Sequence, residues 1–264
     1  MNNLFFIPAR KNSKGIKNKN IKKIYDKPLI QHTTNFAEKF KEKYHKKIKV
    51  DYFVSTDSLS ILKYCKKNQI FEKYLRPSSL SGDKSSIVDA ILHADQWIIK
   101  NKNLFFNTII LLQPTNPFRD ITELKKMLNY YYKNKLKSLI SVNKMREHPY
   151  ECVESKKDNW SYLIKSQKNQ GRQLYKNNFY FIDGSYYIIN IDVLRKHKSL
   201  IIPGVTKLYH LNKKLSIDID DIFDLKLADL IFKNKIKLKK KKYIFLVKVV
   251  ILKLFMKSQS KNIM

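Results

Sequence analysis

LFFIPARKNSKGIKNKN, residues 4–20, decides how the chain is read. An apolar run meets Pro8, and a basic, Asn- and Ser-rich stretch follows that holds a single glycine, Gly15. A buried strand that ends in a cation-rich turn is how an α/β sheet presents a phosphate-binding loop. The competing reading is that a lysine-rich chain shows its bias early. What lies downstream has to choose between them.

Two further short apolar runs, VDYFVST (50–56) and TIILLQP (108–114), suit buried parallel strands, and KSLISV (137–142) is a fourth candidate. Helical periodicity fills the stretches 28–43, 58–68, 85–100 and 121–134. In the third of these Ile87, Ile91, Ala94 and Ile98 recur at spacings of three and four, with Asp83 or Ser85 as the expected cap. The β-α-β-α order predicts a three-layer α/β fold with a mostly parallel sheet. Ligands of such sheets bind at the carboxyl ends of the strands, which directs attention to PARKNSKG, STDS and QPTNPFR. Residues 143–182 are polar and irregular and read as an excursion from the sheet, a small subdomain or an oligomer contact. GSYYIINIDVL (184–194) restores order, and SIDIDDIFDLKLADLIF (216–232) reads as a short strand entering a helix. The body of the protein is thus residues 1–232.

The formal charge is +32 over 264 residues. Of the 54 basic residues only six are arginine, and a chain-wide lysine surplus reflects genome composition as readily as a binding face. Phosphate recognition usually recruits arginine for its planar fork, so nucleic-acid binding is not expected. Cys65 and Cys152 match no metal spacing or disulfide framework, which fits a reduced, cytoplasmic protein. No run of about 18 uncharged apolar residues is present, so no transmembrane helix is expected. The tail 233–264 holds eleven lysines and no acid, and its apolar segment, 243–256, contains Lys248 and Lys253. A basic helix lying weakly on an anionic membrane surface is one reading of it. A tail that is poorly ordered or packed on a partner is the preferred one.

Scarce residues carry more information here than abundant ones. Arg10, Arg76, Arg119 and Arg172 fall at strand tails or in loops, where an arginine among lysines points to an oxyanion or a base to grip. Arg10, Ser13, Lys14 and Lys19 surround Gly15 with cations and donors. The glycine spacing excludes both the Walker cradle and the dinucleotide fingerprint. Asp218 and Asp220, two apart on the expected strand, would present both carboxylates to one side, a pairing suited to Mg²⁺ bridging phosphates. The alternative is a solvated strand face, with Asp221 and Asp224 capping the following helix.

Together, IPARKNSKGIKNKNI, VSTD, LRPSSLSGDKSSIVDAILHA, LLQPTNPFR, GRQ, DGSYYI and SIDIDDIFDLKLAD occur in an order that resembles the acylneuraminate cytidylyltransferases, the CMP-sialic and nonulosonic acid synthetases. The resemblance covers residues 1–232. It implies a nucleotide-diphosphosugar-transferase-like, Rossmann-like fold and transfer of CMP from CTP to the anomeric hydroxyl of a nonulosonic acid, with Mg²⁺ as cofactor and Mn²⁺ able to substitute. It assigns Lys19 and Arg172 to the chemistry, and Arg10, Ser13, Lys14, Asn20, Arg76 and Ser85 to CTP. It assigns Gln113 and Gln173 to the sugar, and Asp218 and Asp220 to the metal. It also implies a homodimer that exchanges an extension, which would account for 143–182. Asp183 stands where relatives carry asparagine. A cytidylyltransferase for another α-keto acid sugar such as Kdo is the nearest alternative, and a basic nucleic-acid- or membrane-binding protein is the alternative from another class.

Overall fold

The computed structural model describes residues 2–65, 74–145, 147–157, 159–164, 175, 178–211 and 217–233. Strand β1 (Asn3–Pro8) leads through the basic loop to a small hairpin, β2 (Lys23–Ile24) and β3 (Lys27–Pro28), and then to helix α1 (Leu29–Tyr44). There follow β4 (Val50–Ser55), α2 (Leu59–Cys65), α3 (Ile87–Lys102), β5 (Thr108–Leu111), α4 (Ile121–Lys133) and β6 (Ser138–Lys144). A second hairpin, β7 (Val153–Lys156) and β8 (Asn159–Tyr162), precedes β9 (Tyr180–Asn190), α5 (Ile191–His197), β10 (Thr206–His210) and α6 (Ile222–Lys233).

Six strands form the main sheet in the order β10-β6-β9-β5-β1-β4. The pairs β1–β4, β1–β5 and β6–β10 are parallel, whereas β9 runs antiparallel to both of its neighbours. The two-residue period of β1 explains the layers. Phe5 and Ile7 face a core shared with α1, α2 and α4, while Leu4 and Phe6 face one shared with α3 and α5. Each fully buried aromatic of this kind contributes roughly 1.5–3 kcal/mol. A third cluster packs α6 against the β2–β3 hairpin through Ile16, Ile24, Ile217, Ile219, Leu225 and Ala228. The three-layer, mostly parallel α/β expectation is borne out.

Several expectations need correction. The cap of α3 is Ser86, not Asp83 or Ser85: its side chain accepts from the backbone N–H groups of Val88 and Asp89. Residues 217–220 join no strand ladder, and Ile219 N–H donates instead to the Thr115 carbonyl at 2.9 Å. The alternation is nonetheless real, with Ile217 and Ile219 buried and Asp218 and Asp220 exposed. Asp221 and Asp224 do cap α6, through Phe223 N–H and Asp224 N–H onto Asp221, and Asp220 N–H and Asp221 N–H onto Asp224. Strand β10 was not foreseen. Of the tail, only Lys233 lies within the described residues, and no helix among them is long and apolar enough to cross a membrane.

An ion pair buried at its acidic end joins α3 to α5. Asp95 is 2% exposed and meets Arg195 at 2.6 Å, while Arg195 also reaches Asp192 at 2.8 Å. Desolvation holds the Asp95 carboxyl above its ordinary range, with the Arg195 hydrogen bond and charge opposing. Arg195→Ala is expected to cost about 2 kcal/mol at neutral pH, because a buried carboxylate loses its partner. A raised carboxyl gains its proton as pH falls, so the deficit relative to the unsubstituted protein should shrink toward acid and grow as pH rises. Urea unfolding across a pH series checks both points.

Candidate active site

A cleft of about 590 Å³ opens at the carboxyl ends of β1 and β5, where ligand sites of such sheets are expected. Its floor on one side is the loop after β1. Ala9 N–H bonds the Ser55 carbonyl at 2.9 Å and Lys11 N–H bonds Asp57 at 2.7 Å, which fixes the loop to the tail of β4. Asn20, buried, donates to the Arg10 carbonyl at 2.9 Å and ties the two ends of the loop together. Asn18 takes the left-handed conformation that asparagine tolerates, and a single turn of 3₁₀ helix, Lys19–Ile21, follows.

The far end of the chain closes on this loop. A side chain at Gly15 would put its Cβ 2.1 Å from the Asp220 carbonyl oxygen, so only glycine allows the approach. The Lys19 ammonium, almost fully buried, donates to the Ile219 carbonyl at 2.6 Å and meets Asp220 at 3.3 Å. Asp218 lies beside them. Desolvation raises its carboxyl above the usual range and the neighbouring Asp220 charge adds to this, against the Thr115 hydrogen bond and the charges of Lys19 and Arg119.

The third wall is the turn after β5, which carries Gln113, Pro114 and Thr115 into the cleft. Arg119 holds it from beneath. Its guanidinium donates to the carbonyls of Gln113 at 2.6 Å, Asn116 at 2.5 Å and Ser185 at 2.9 Å, and burial lowers it to about 10 despite the charges of Asp183 and Asp218. This arginine grips backbone rather than a ligand, which corrects the oxyanion expectation at that position. Opposite the turn, four residues of β9, 183–186, face one residue of β6, Ser141, in a wide bulge. Buried Asp183 organises it, accepting from Asn143 at 3.0 Å and from the Ser185 hydroxyl at 2.7 Å. The bulge turns Gly184, at φ +69, so that an added Cβ would sit 3.3 Å from Gln113 and 3.5 Å from Asp218.

Every proposed site residue among the described ones lines this cleft: Arg10, Ser13, Lys14, Lys19 and Asn20 from the loop, Arg76 and Ser85 from the segment before α3, and Gln113, Asp218 and Asp220. Arg76 is buried, with its Nε donating to the Ser55 hydroxyl at 2.9 Å. Arg172 and Gln173 lie outside the described residues. Sequence reasoning missed Asp83, Ser86 and Thr115 as residues of the cleft. The serine pair ahead of an apolar helix was the available signal for Ser86.

As a check on the loop, Gly15→Ala is expected to leave the circular dichroism spectrum of the fold intact while separating the loop from residue 220. That separation should weaken binding of CTP, the ligand the family resemblance implies, about 10-fold or more. Calorimetric titration with CTP measures it, and unchanged affinity would show that the close approach has no bearing on the cleft.

Similarity to known proteins points the same way. The cytidylyltransferase family signature matches residues 4–243. The chain is 28% identical over 228 residues to the CMP-N,N'-diacetyllegionaminic acid synthase of Legionella pneumophila, covering 86% of this chain and 94% of that protein. It is 30% identical over 242 residues to an N-acylneuraminate cytidylyltransferase of Escherichia coli, covering 87% of this chain and 52% of the relative. In fold it resembles a CMP:2-keto-3-deoxy-manno-octonic acid synthetase solved with CTP, with a TM-score of 0.63 at 15% identity over 89% of this chain and 100% of that one. With 240 of its 264 residues matched, the chain belongs to the cytidylyltransferase family.

Proposed function

We propose that this protein transfers CMP from CTP to the anomeric hydroxyl of a nonulosonic acid, such as N-acetylneuraminate or legionaminate, releasing pyrophosphate. The observation that carries the reading is the convergence of a cation-rich loop, a carboxylate pair and a polar turn on one cleft, from segments about 200 residues apart. The curated relatives, named as legionaminate, N-acylneuraminate and pseudaminate cytidylyltransferases, support the choice of acceptor. The synthetase of the eight-carbon acid sugar shares the fold at too low an identity to favour that acceptor.

In this reading the acceptor oxygen bonds to the α-phosphorus, the bond to the bridging oxygen of pyrophosphate breaks, and the hydroxyl proton is released. Such a displacement needs positioning and charge neutralisation more than covalent catalysis. Arg10, Lys14 and Ser13 bind the triphosphate, and Lys19, held rigidly by the Ile219 carbonyl, sets a fixed positive charge beside it. Arg76 and Ser85 flank the base, and Gln113, oriented from below by Arg119, faces the acceptor. Asp218 and Asp220 would hold Mg²⁺, with Mn²⁺ as substitute. The donor set fits: Asp218 and Asp220 both line the cleft, and Mg²⁺ commonly takes one or two carboxylates with water and substrate phosphates. Bound there, the ion would neutralise phosphate charge and relieve the repulsion between the two carboxylates.

We also infer a homodimer. The β7–β8 hairpin leaves Val153, Trp160 and Tyr162 exposed, as are Tyr180, Phe181 and Ile182 at the start of β9. A two-stranded hairpin with no covered face is marginal in water, and a second copy is the cover the family resemblance implies.

Purified protein with CTP, Mg²⁺ and a panel of N-acetylneuraminate, legionaminate, pseudaminate and Kdo is expected to release pyrophosphate with a nonulosonic acid. Failure with the whole panel would overturn the reading. Asp220→Asn should lower turnover about 100-fold, and full activity in that variant would remove the metal assignment. Sedimentation velocity should show a dimer, and Trp160→Glu should shift it toward monomer; a monomeric parent protein would rule the dimer out.

A further inference from the structure

The segment between the 3₁₀ turn Ser78–Leu80 and α3 lines the cleft, and there it meets the loop after β1. Asp83 divides its carboxylate between two cations of the loop after β1. One oxygen lies 2.9 Å from Arg10 Nη1 and the other 3.8 Å from Lys14 Nζ. The same Arg10 nitrogen donates to the Gly82 carbonyl at 3.1 Å. All four residues line the cleft. An exposed ion pair as such is worth little. Its position is what matters here, because a carboxylate bridging a guanidinium and an ammonium sits where the oxygens of a phosphate would be bound by the same two groups.

We propose that Asp83 is the internal counter-anion of this loop, holding Arg10 and Lys14 until a polyphosphate displaces it. The proposal rests on the reading of the loop as a triphosphate site and extends it. The Asp83 charge cannot remain between Arg10 and Lys14 once phosphate oxygens occupy them, since like charges at that spacing repel. Entry of the triphosphate therefore exchanges one anion for another at Arg10 and Lys14. The exchange runs in reverse at the end of a turnover. Asp83 regains its cations as pyrophosphate departs, so it lowers the affinity of the loop for that product. The role is one of positioning and competition, exerted through Arg10 and Lys14 rather than on the reacting atoms.

A residue that only supports the loop would weaken anion binding when removed. A counter-anion does the opposite. Titration calorimetry at low salt with inorganic tripolyphosphate, and separately with CTP, is expected to show Asp83→Asn binding tripolyphosphate about 5-fold tighter than the parent protein. Pyrophosphate should likewise become a stronger product inhibitor in that variant. Asp89→Asn, which removes a nearby exposed charge with no contact to the loop, should change tripolyphosphate affinity less than about 2-fold. Equal or weaker tripolyphosphate binding by Asp83→Asn, or an equal gain in Asp89→Asn, overturns the assignment. A parent protein that binds tripolyphosphate but not CTP defeats the nucleotide reading and leaves the counter-anion standing. One that binds neither defeats both.

Discussion

The contact between Gly15 and the Asp220 carbonyl is the constraint on which the site depends. Without a Cβ at residue 15, the loop after the first strand can lie against a segment that the chain reaches only some 200 residues later. Lys19 seals the junction by donating to the Ile219 carbonyl, and the apolar cluster of Ile16, Ile24, Ile217 and Ile219 packs beneath it. The alternation of 217–220 then has a structural purpose. Its isoleucines anchor the segment while its aspartates stay in the cleft. Arg119 does comparable work on the middle wall, where one buried fork holds three carbonyls from two different segments.

The cleft is not a sink for the protein's surplus charge. Arg10, Lys14, Lys19 and Arg76 face Asp83, Asp218 and Asp220 across it, so the local balance is close to neutral although the chain as a whole carries +32. Two of those cations are buried and committed to backbone or hydroxyl partners before any ligand arrives. Fixed charge of this kind needs no reorganisation at the moment of reaction, which is where electrostatic stabilisation gains most. Among the described residues the remaining lysines are largely a solvated surface.

Much of this was legible in the sequence because buried strands and scarce residue types leave strong marks. LFFIP, VDYFVS and TIIL are apolar runs that only a doubly covered sheet explains, and Arg10, Gly15 and the aspartate pair stand out against a lysine background. What escaped notice depends on distance rather than on composition. Strand β10 is an edge strand with partly exposed residues, and TKLYH looks like any polar connection. Asp83 looked like a helix cap because its partners lie some 70 residues upstream. Arg119 resembled a ligand-gripping arginine, since no local pattern announces that three carbonyls will surround it. The bulge at 183–186 cannot be read from DGSY without knowing that Ser141 lies opposite.

The antiparallel placement of β9 also bears on how the protein is made. It is the strand that joins β5 to β6, so until residue 190 has been synthesised the inner edges of both remain unpaired. Those edges are apolar and parallel-sheet-like, the kind most ready to pair with another chain. Long-range sheet pairing is slow to form, and a nascent chain must hold this state through the polar excursion that precedes β9. Strand β6 is in the weaker position of the two, since its other neighbour, β10 at Thr206–His210, is made later still, so that β6 has no partner in the sheet before β9 arrives.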